Sequence, residues 1–257
     1  TIATYQVMTT RKKGVYAHLD LFDSHDWGLI VYDEVHLLPA PIFRFTADIQ
    51  SRRRLGLTAT LVREDGLEGE VFSLIGPKRF DVPWKEIEAQ GYIAPADCVE
   101  VRVTLTEHER LTYATAEQED KYRTCSTTAT KKSVVLALAR QHANDQTLVI
   151  GQYIDQIDEI SADLGVPIIK GETPIKEREI LFEKFRTGEL KCLVVSKVAN
   201  FSIDLPEASV AIQVSGTFGS RQEEAQRLGR ILRPKTDGRT ARFYSVVARD
   251  KIGRAHV

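Results

Sequence analysis

From residue 134 onward, short apolar runs recur with helix-patterned stretches between them, and this alternation restricts the fold more than any other feature. The runs fall at 147–150, 166–169, 192–195, 210–214 and 242–247. Most are apolar on successive residues rather than on alternate ones, the pattern of strands covered on both faces. The intervening stretches carry helical periodicity: 134–142, then 154–164 closed by Gly165, then a helix opened by Thr173-Pro174. In that last helix Leu181, Phe182 and Phe185 share a face before Gly188 ends it. Strands joined through helices do not pair as hairpins, so a parallel sheet with helical cover follows.

The first part of the chain repeats the alternation in looser form. Residues 1–7 read as a strand, 15–22 as a short helix, 29–32 as a strand, 41–49 as a helix, and 53–57 as a strand running into Thr58-Ala59-Thr60. A short helix at 84–90, stopped by Gly91 and followed by Pro95, reads as a linker. Beyond it, 97–105 alternates like a strand and Thr106-Glu107-His108-Glu109 has the form of a capped helix start. The polar residues from there to Thr130 take no assignment. The expected organisation is α/β: a parallel-sheet domain at 1–83, a linker at 84–96 and a second such domain at 97–250.

A length of 257 residues gives each domain room for its own core. Lys and Arg number 35 against 36 Asp and Glu, a formal net charge of −1, so bulk charge selects no polyanionic partner and any nucleic-acid site must be a local groove. Cys98, Cys125 and Cys192 have neither metal-ligand nor redox spacing, and no apolar run approaches a membrane span. A cytoplasmic, nucleoid-associated protein in a reducing compartment is expected, with no membrane partner. Both ends read as cut. The chain begins inside a strand pattern without an initiator Met, and from Ile252 the tail back-translates into a common sequencing-adapter read, so 251–257 are expected to be non-native.

The chemistry concentrates where strand 29–32 meets Asp33-Glu34-Val35-His36. In open α/β sheets ligands bind beyond the carboxyl ends of the strands, so a carboxylate pair there suits nucleotide hydrolysis: one acid holds Mg²⁺ through water and its neighbour orients or deprotonates the attacking water. A solvated strand-end turn is the plain alternative. Later in the chain, Ser220-Arg221-Gln222-Glu223 opens a helix that Pro234 stops. On it Gln226, Arg230 and Arg233 share one face, and a guanidinium row can neutralise charge on a transferring phosphoryl group. Gly229 leaves room for another surface to approach. Arg11-Lys12-Lys13 and Arg52-Arg53-Arg54 could touch phosphates, although short basic runs are more often solvated faces.

In order along the chain, Asp33-Glu34-Val35-His36, Thr58-Ala59-Thr60 and Gln226-x-x-Gly229-Arg230-x-x-Arg233 resemble motifs II, III and VI of superfamily 2 helicases. Arg63-Glu64-Asp65, Gly91-Tyr92-Ile93-Ala94, Ser196-Lys197-Val198, Asp204-Leu205-Pro206-Glu207 and Gly219 to Glu223 narrow the resemblance to the XPB (xeroderma pigmentosum group B) type, in its bacterial branch. The resemblance implies two RecA-like domains, the first incomplete, with ATP and Mg²⁺ as cofactors and 3′ to 5′ DNA unwinding in repair and transcription as the activity. It makes Asp33 the Mg²⁺ ligand, Glu34 the catalytic base, Arg230 and Arg233 arginine fingers with Gln226 beside them, and Asp204 and Gly229 part of the nucleotide site. Thr4, Tyr5, Thr58, Thr60, Ser196 and Lys197 would line the DNA groove, and Arg63, Glu64 and Asp65 would act in duplex separation.

Several features depart from that family. No G-x-x-x-x-G-K-[ST] loop occurs, so the chain as it stands is expected to bind ATP poorly and not to turn it over. Ala199-Asn200-Phe201 stands where the eukaryotic members carry Gly-Asp-Thr, and 107–130 is short for the helical thumb of the archaeal ones. The implied partner is DNA at a single-strand and duplex junction, with a nuclease or repair protein as a further one, bound by a monomer. A duplex translocase that does not separate strands, and a truncated non-catalytic DNA-binding piece, remain as rivals.

Overall fold

The computed structural model describes residues 1–8, 10–12, 14–18, 20–35, 51–58, 68–92, 95–196, 208–215 and 240–249. The chain divides into two compact units, Thr1–Asp81 and Val82–Val257.

The second unit is built on a six-stranded sheet. Its strands are β5 (Ala96–Val103), β6 (Thr147–Gly151), β7 (Ile168–Ile169), β8 (Cys192–Ser196), β9 (Val210–Gln213) and β10 (Ala241–Ala248). They lie in the order β5-β10-β9-β6-β8-β7, and every pairing is parallel. Side chains alternate between the faces. Leu148, Ile150, Leu193, Val195 and Phe243 pack on one side around Phe185, whereas Val149, Val194, Ile212, Tyr244 and Val246 pack on the other around Val135, Ile157 and Ile160. The helices that provide these covers are α7 (Ala129–Gln141), α8 (Ile154–Leu164) and α9 (Ile175–Arg186). Full burial of each such side chain contributes about 1.5–3 kcal/mol, which explains the apolar runs Leu148 to Ile150 of β6 and Leu193 to Val195 of β8.

Elements of the second unit depart from expectation where local chemistry decides. The strand expected at 166–169 shortens to Ile168–Ile169, because Pro167 has no N–H to give the ladder and Val166 N bonds instead to Ser161 O at 3.1 Å. The unassigned polar stretch forms α5 (Glu107–Thr115) and α6 (Gln118–Thr127), following α4 (Trp84–Ala89) and β5. Thr106 and Glu109 complete a capping box on α5. Glu109 also accepts from Thr128 Oγ1 at 2.8 Å and Ala129 N at 3.3 Å, so one carboxylate caps α7 as well. Burial works to raise its pKa, but hydrogen bonds from Thr106, Thr128 and Ala129 outweigh that and hold it below the ordinary range. At the other end of α7, buried His142 bridges Asp145 Oδ2 at 2.8 Å and Tyr244 Oη at 2.9 Å, tying the helix end to β10.

The first unit holds α1 (Tyr5–Met8), β1 (Arg11–Lys12), β2 (Val15–Tyr16), α2 (Asp20–Asp23), β3 (Ile30–Tyr32), β4 (Arg54–Gly56) and α3 (Glu68–Ile75). Two expectations fail here. Residues 1–7 are not a strand: Ile2 is fully exposed, and Thr4 Oγ1 accepts from Val7 N at 3.3 Å to start α1. Residues 15–22 are not one helix: Gly14, at φ 85°, turns the chain so that β2 pairs antiparallel with β1, and only Asp20–Asp23 is helical. β3 and β4 are parallel, with Val31 opposite Leu55 and Tyr32 opposite Gly56. One face is covered, as Tyr32 and Val35 pack with Val71 and Leu74 of α3. On the other, Leu29, Val31, Leu55 and Leu57 are exposed.

The helices expected at 41–49 and from Arg221, and the tail at 251–257, lie outside the described residues. Among the described residues no helix is long and apolar enough to cross a membrane.

Candidate functional site

β3 ends in a local irregularity that presents the acidic pair. Leu57 N donates to Tyr32 O at 2.9 Å, and a regular parallel ladder would then have Glu34 N return a bond to Leu57 O. Val35 N makes that bond instead, at 3.0 Å, so one extra residue is accommodated as a bulge. Glu34 takes the left-handed conformation, φ 46°, that the detour requires, and its N–H turns to Asp33 Oδ1 at 2.9 Å. A non-glycine residue held there is strained by about 1–3 kcal/mol, a conformation that concentrates at functional sites. Gly56 lets Val35 pack closely beside the bend: a Cβ there would lie 3.2 Å from methyl groups of both Val35 and Ile75.

Tyr5 braces the bulge from the start of the chain. Its hydroxyl donates to the main-chain oxygen of Asp33 at 2.6 Å, and its ring packs against the Tyr32–Val35 cluster. Burial first, then the charge of Asp33, pushes the phenol up to about 12, so it remains a donor at any working pH. Thr4 is occupied as the cap of α1, and Thr58 follows Leu57 at the carboxyl end of β4. The structure thus brings Tyr5, Asp33 and Glu34 together.

The acidic pair fits a hydrated Mg²⁺. Asp33 is an exposed carboxylate at a strand end with one oxygen turned to Glu34 N, and Mg²⁺ bound with a nucleotide needs only one or two carboxylates beside water and phosphate. Among the described residues no cluster of three or more acidic, His or Cys side chains could hold a metal alone. The basic runs are partly engaged: Arg52 pairs with Asp26 at 2.5 Å, Arg54 donates to Leu74 O at 3.2 Å, and Arg11 lies over the Tyr16 ring.

In the second unit, Ser196 ends β8 and is buried, 2 % exposed. His36, Thr60, Arg63, Glu64, Asp65, Lys197, Asp204, Gln226, Gly229, Arg230 and Arg233 lie outside the described residues. Two features escaped the sequence reading, which placed Tyr5 in the DNA groove and not at the acidic pair, and did not single out Lys131. Tyr5 reaches Asp33 across 28 positions, and Lys131 is a buried cation in what reads locally as a solvated Lys-Lys pair. Neither leaves a local signal.

Comparison with known proteins bears on the whole arrangement. The chain is 75% identical over 250 residues to "DNA 3'-5' helicase XPB" of Kineococcus radiotolerans, covering 97% of this chain and 45% of that protein. The Mycobacterium tuberculosis protein of the same name is 71% identical, over 98% of this chain and 46% of its own. The "General transcription and DNA repair factor IIH helicase/translocase subunit XPB/SSL2" of Saccharomyces cerevisiae is 37% identical over 97% of this chain and 31% of its own. The chain spans about half the length of the bacterial relatives it matches. Among solved structures, S. cerevisiae Dbp5 bound to RNA and ADP BeF3 superimposes with a TM-score of 0.59 at 17% identity, covering 91% of this chain and 58% of that one. That likeness shows the fold alone, a RecA-like parallel-sheet architecture. The ERCC3/RAD25/XPB C-terminal helicase model matches residues 87–254. On that match and these relatives, the chain belongs to the ERCC3/RAD25/XPB C-terminal helicase family.

Proposed function

We propose that the full-length protein carrying this chain is an ATP-driven 3′ to 5′ DNA helicase of the repair type. The observation that carries this is the bulged Asp33-Glu34 pair at the carboxyl end of β3, in a chain 75% identical to a relative named for that activity. The two units would be its RecA-like domains, 1–83 and 97–250, joined by 84–96.

Mg²⁺-ATP, when bound, supplies the phosphoryl group and the divalent charge that the reaction needs. Asp33 would be the residue that holds the ion, its Oδ1 already accepting from Glu34 N. Glu34 takes the proton of the attacking water, in an orientation fixed by its left-handed backbone. Arg230 and Arg233 neutralise charge on the transferring group, with Gln226, Gly229 and Asp204 shaping the same site. Thr4, Thr58, Thr60 and Lys197 follow the DNA backbone, so binding is salt-sensitive and tolerant of sequence; Tyr5, engaged at Asp33, and Ser196, which is buried, are not assigned a direct DNA contact. Arg63, Glu64 and Asp65 act at the duplex junction. This chain lacks a phosphate-cradling loop, and alone it would turn over no ATP.

Glu34→Gln in the full-length protein should abolish DNA-stimulated hydrolysis while ATP binding persists, measured by phosphate release and nucleotide titration. Wild-type turnover in that variant would exclude Glu34 as the base. Duplex translocation without unwinding is the second reading, favoured by the word "translocase" in the name of the yeast relative. Triplex displacement without strand displacement would select it.

A further inference from the structure

The six-stranded sheet ends differently at its two edges. At one, β7 is two residues long and follows Pro167, which has no N–H to offer a neighbour, so that edge is blunt. At the other, β5 runs for eight residues without a proline, pairs along its whole length with β10, and among the described residues meets no strand on its far side. The ladder fixes which groups are left over. Pro95 O accepts from Ala241 N and Val103 O from Arg249 N, both at 2.8 Å, so the main chain of Asp97, Val99 and Val101 also faces β10. Cys98, Glu100 and Arg102 therefore turn their N–H and C=O groups to the open edge, a template for one more strand. Their side chains share one face, where Arg102 Nε donates to Glu100 Oε1 at 2.5 Å. On the other face Val101 and Val103 join the core, but Val99 is 42 % exposed.

A row of like charges on an edge strand repels a copy of itself, and Glu100 with Arg102 does the opposite. When two β5 strands pair antiparallel about a two-fold axis at Val101, Glu100 of each copy lies opposite Arg102 of the other as a hydrogen-bonded pair. Val101 then meets its own counterpart, and Val99 lies against Val103 of the second copy. Sliding one strand by two residues in either direction sets Glu100 against Glu100 or Arg102 against Arg102, and sliding it by one takes the main-chain groups out of register. Charge thus selects one register, and that register is self-complementary.

We propose that β5 is an interface between two copies of this chain, which pair edge to edge and antiparallel around Val101 and so join their two six-stranded sheets into one. A dimer replaces the monomer that the sequence suggests, and the inference does not rest on the function proposed above. The test is sedimentation equilibrium of the full-length protein, which should be dimeric at about 10 μM. Arg102→Glu and Glu100→Arg each set like charges opposite one another, and each should raise the dimer dissociation constant tenfold or more. Exchanging both residues, Glu100→Arg with Arg102→Glu, should return it to within threefold of wild type. Under mild oxidation Val101→Cys should cross-link to its own counterpart, whereas wild-type Cys98, which lies opposite Thr104 of the second copy, should not. A wild-type monomer up to about 100 μM overturns the proposal. So does a dimer whose dissociation constant neither single exchange moves, because the β5 edge is then free or taken by another segment or another protein. A cross-link through Cys98 in wild type refutes the register and the charge argument with it. Should a charge variant fail to fold, cross-linking of Val101→Cys decides alone, and its absence counts against the proposal.

Discussion

Tyr5 ties the start of the chain to the main-chain oxygen of Asp33, so Tyr5→Phe isolates one hydrogen bond at the acidic pair. The ring should stay packed and the loss of stability should be about 1 kcal/mol, measured by urea unfolding. DNA-stimulated turnover in the full-length protein should fall by a larger factor than binding does. Lys131 gives a pH signature of its own. Its folded pKa, about 8, lies below the unfolded value of 10.5, so the protonated form opposes folding. That penalty is fully present below pH 8 and lifts as pH rises to 10.5, a gain of about 3 kcal/mol from this group at most. Thermal melts from pH 7 to 10.5 should show the rise in wild type and not in Lys131→Met. The carboxylates at 33 and 34 were visible in the sequence because an apolar run ends on them. The bulge and the buried cation were not, because both depend on residues far away in the chain: Leu57 for one, Val214, whose main-chain oxygen accepts from Lys131, for the other.

Helices α5 and α7 share one anchor, since Glu109 closes the capping box of the first and accepts from the N-terminus of the second. Glu109→Ala should therefore cost about 2 kcal/mol, the upper range for a single cap, with unfolding followed by far-ultraviolet circular dichroism. Because hydrogen bonds depress its pKa, its contribution is present above the unfolded carboxylate pKa and is lost as pH falls through the folded one. The variant should accordingly lose the acid-sensitive part of the wild-type transition. At the end of β6, Gly151→Ala should cost about 1–3 kcal/mol through overpacking against Ile157. The start of α5 was legible because Thr106 and Glu109 have capping-box spacing. Their continuation was not, since the faces of α5 and α6 are polar and their few apolar residues form no periodic stripe. Residues 1–7 misled for the opposite reason: Ile2, Tyr5 and Val7 suggest a strand, but among the described residues no strand pairs with them and Tyr5–Met8 is helical.

At the scale of the whole chain, the second unit is a parallel sheet whose last strand, β10, lies between β5 and β9. Strand identity was readable from composition, but the order was not, because parallel partners are chosen by crossover geometry rather than by sequence neighbours. Alanine at Arg230 and Arg233 together in the full-length protein should lower kcat for ATP hydrolysis by 10³-fold or more, as expected of arginine fingers, with DNA binding retained in fluorescence anisotropy. The bulge at the end of β3 has a genetic consequence. Its framework runs through main-chain atoms of Tyr32, Val35 and Leu57 and through the Tyr5 hydroxyl, so exchanging the carboxylate of residue 34 for an amide leaves that scaffold in place. An allele altered in this way should fold, occupy the same DNA as the normal product and stall there. Co-expressed with wild type, it should behave as a dominant poison rather than a recessive loss.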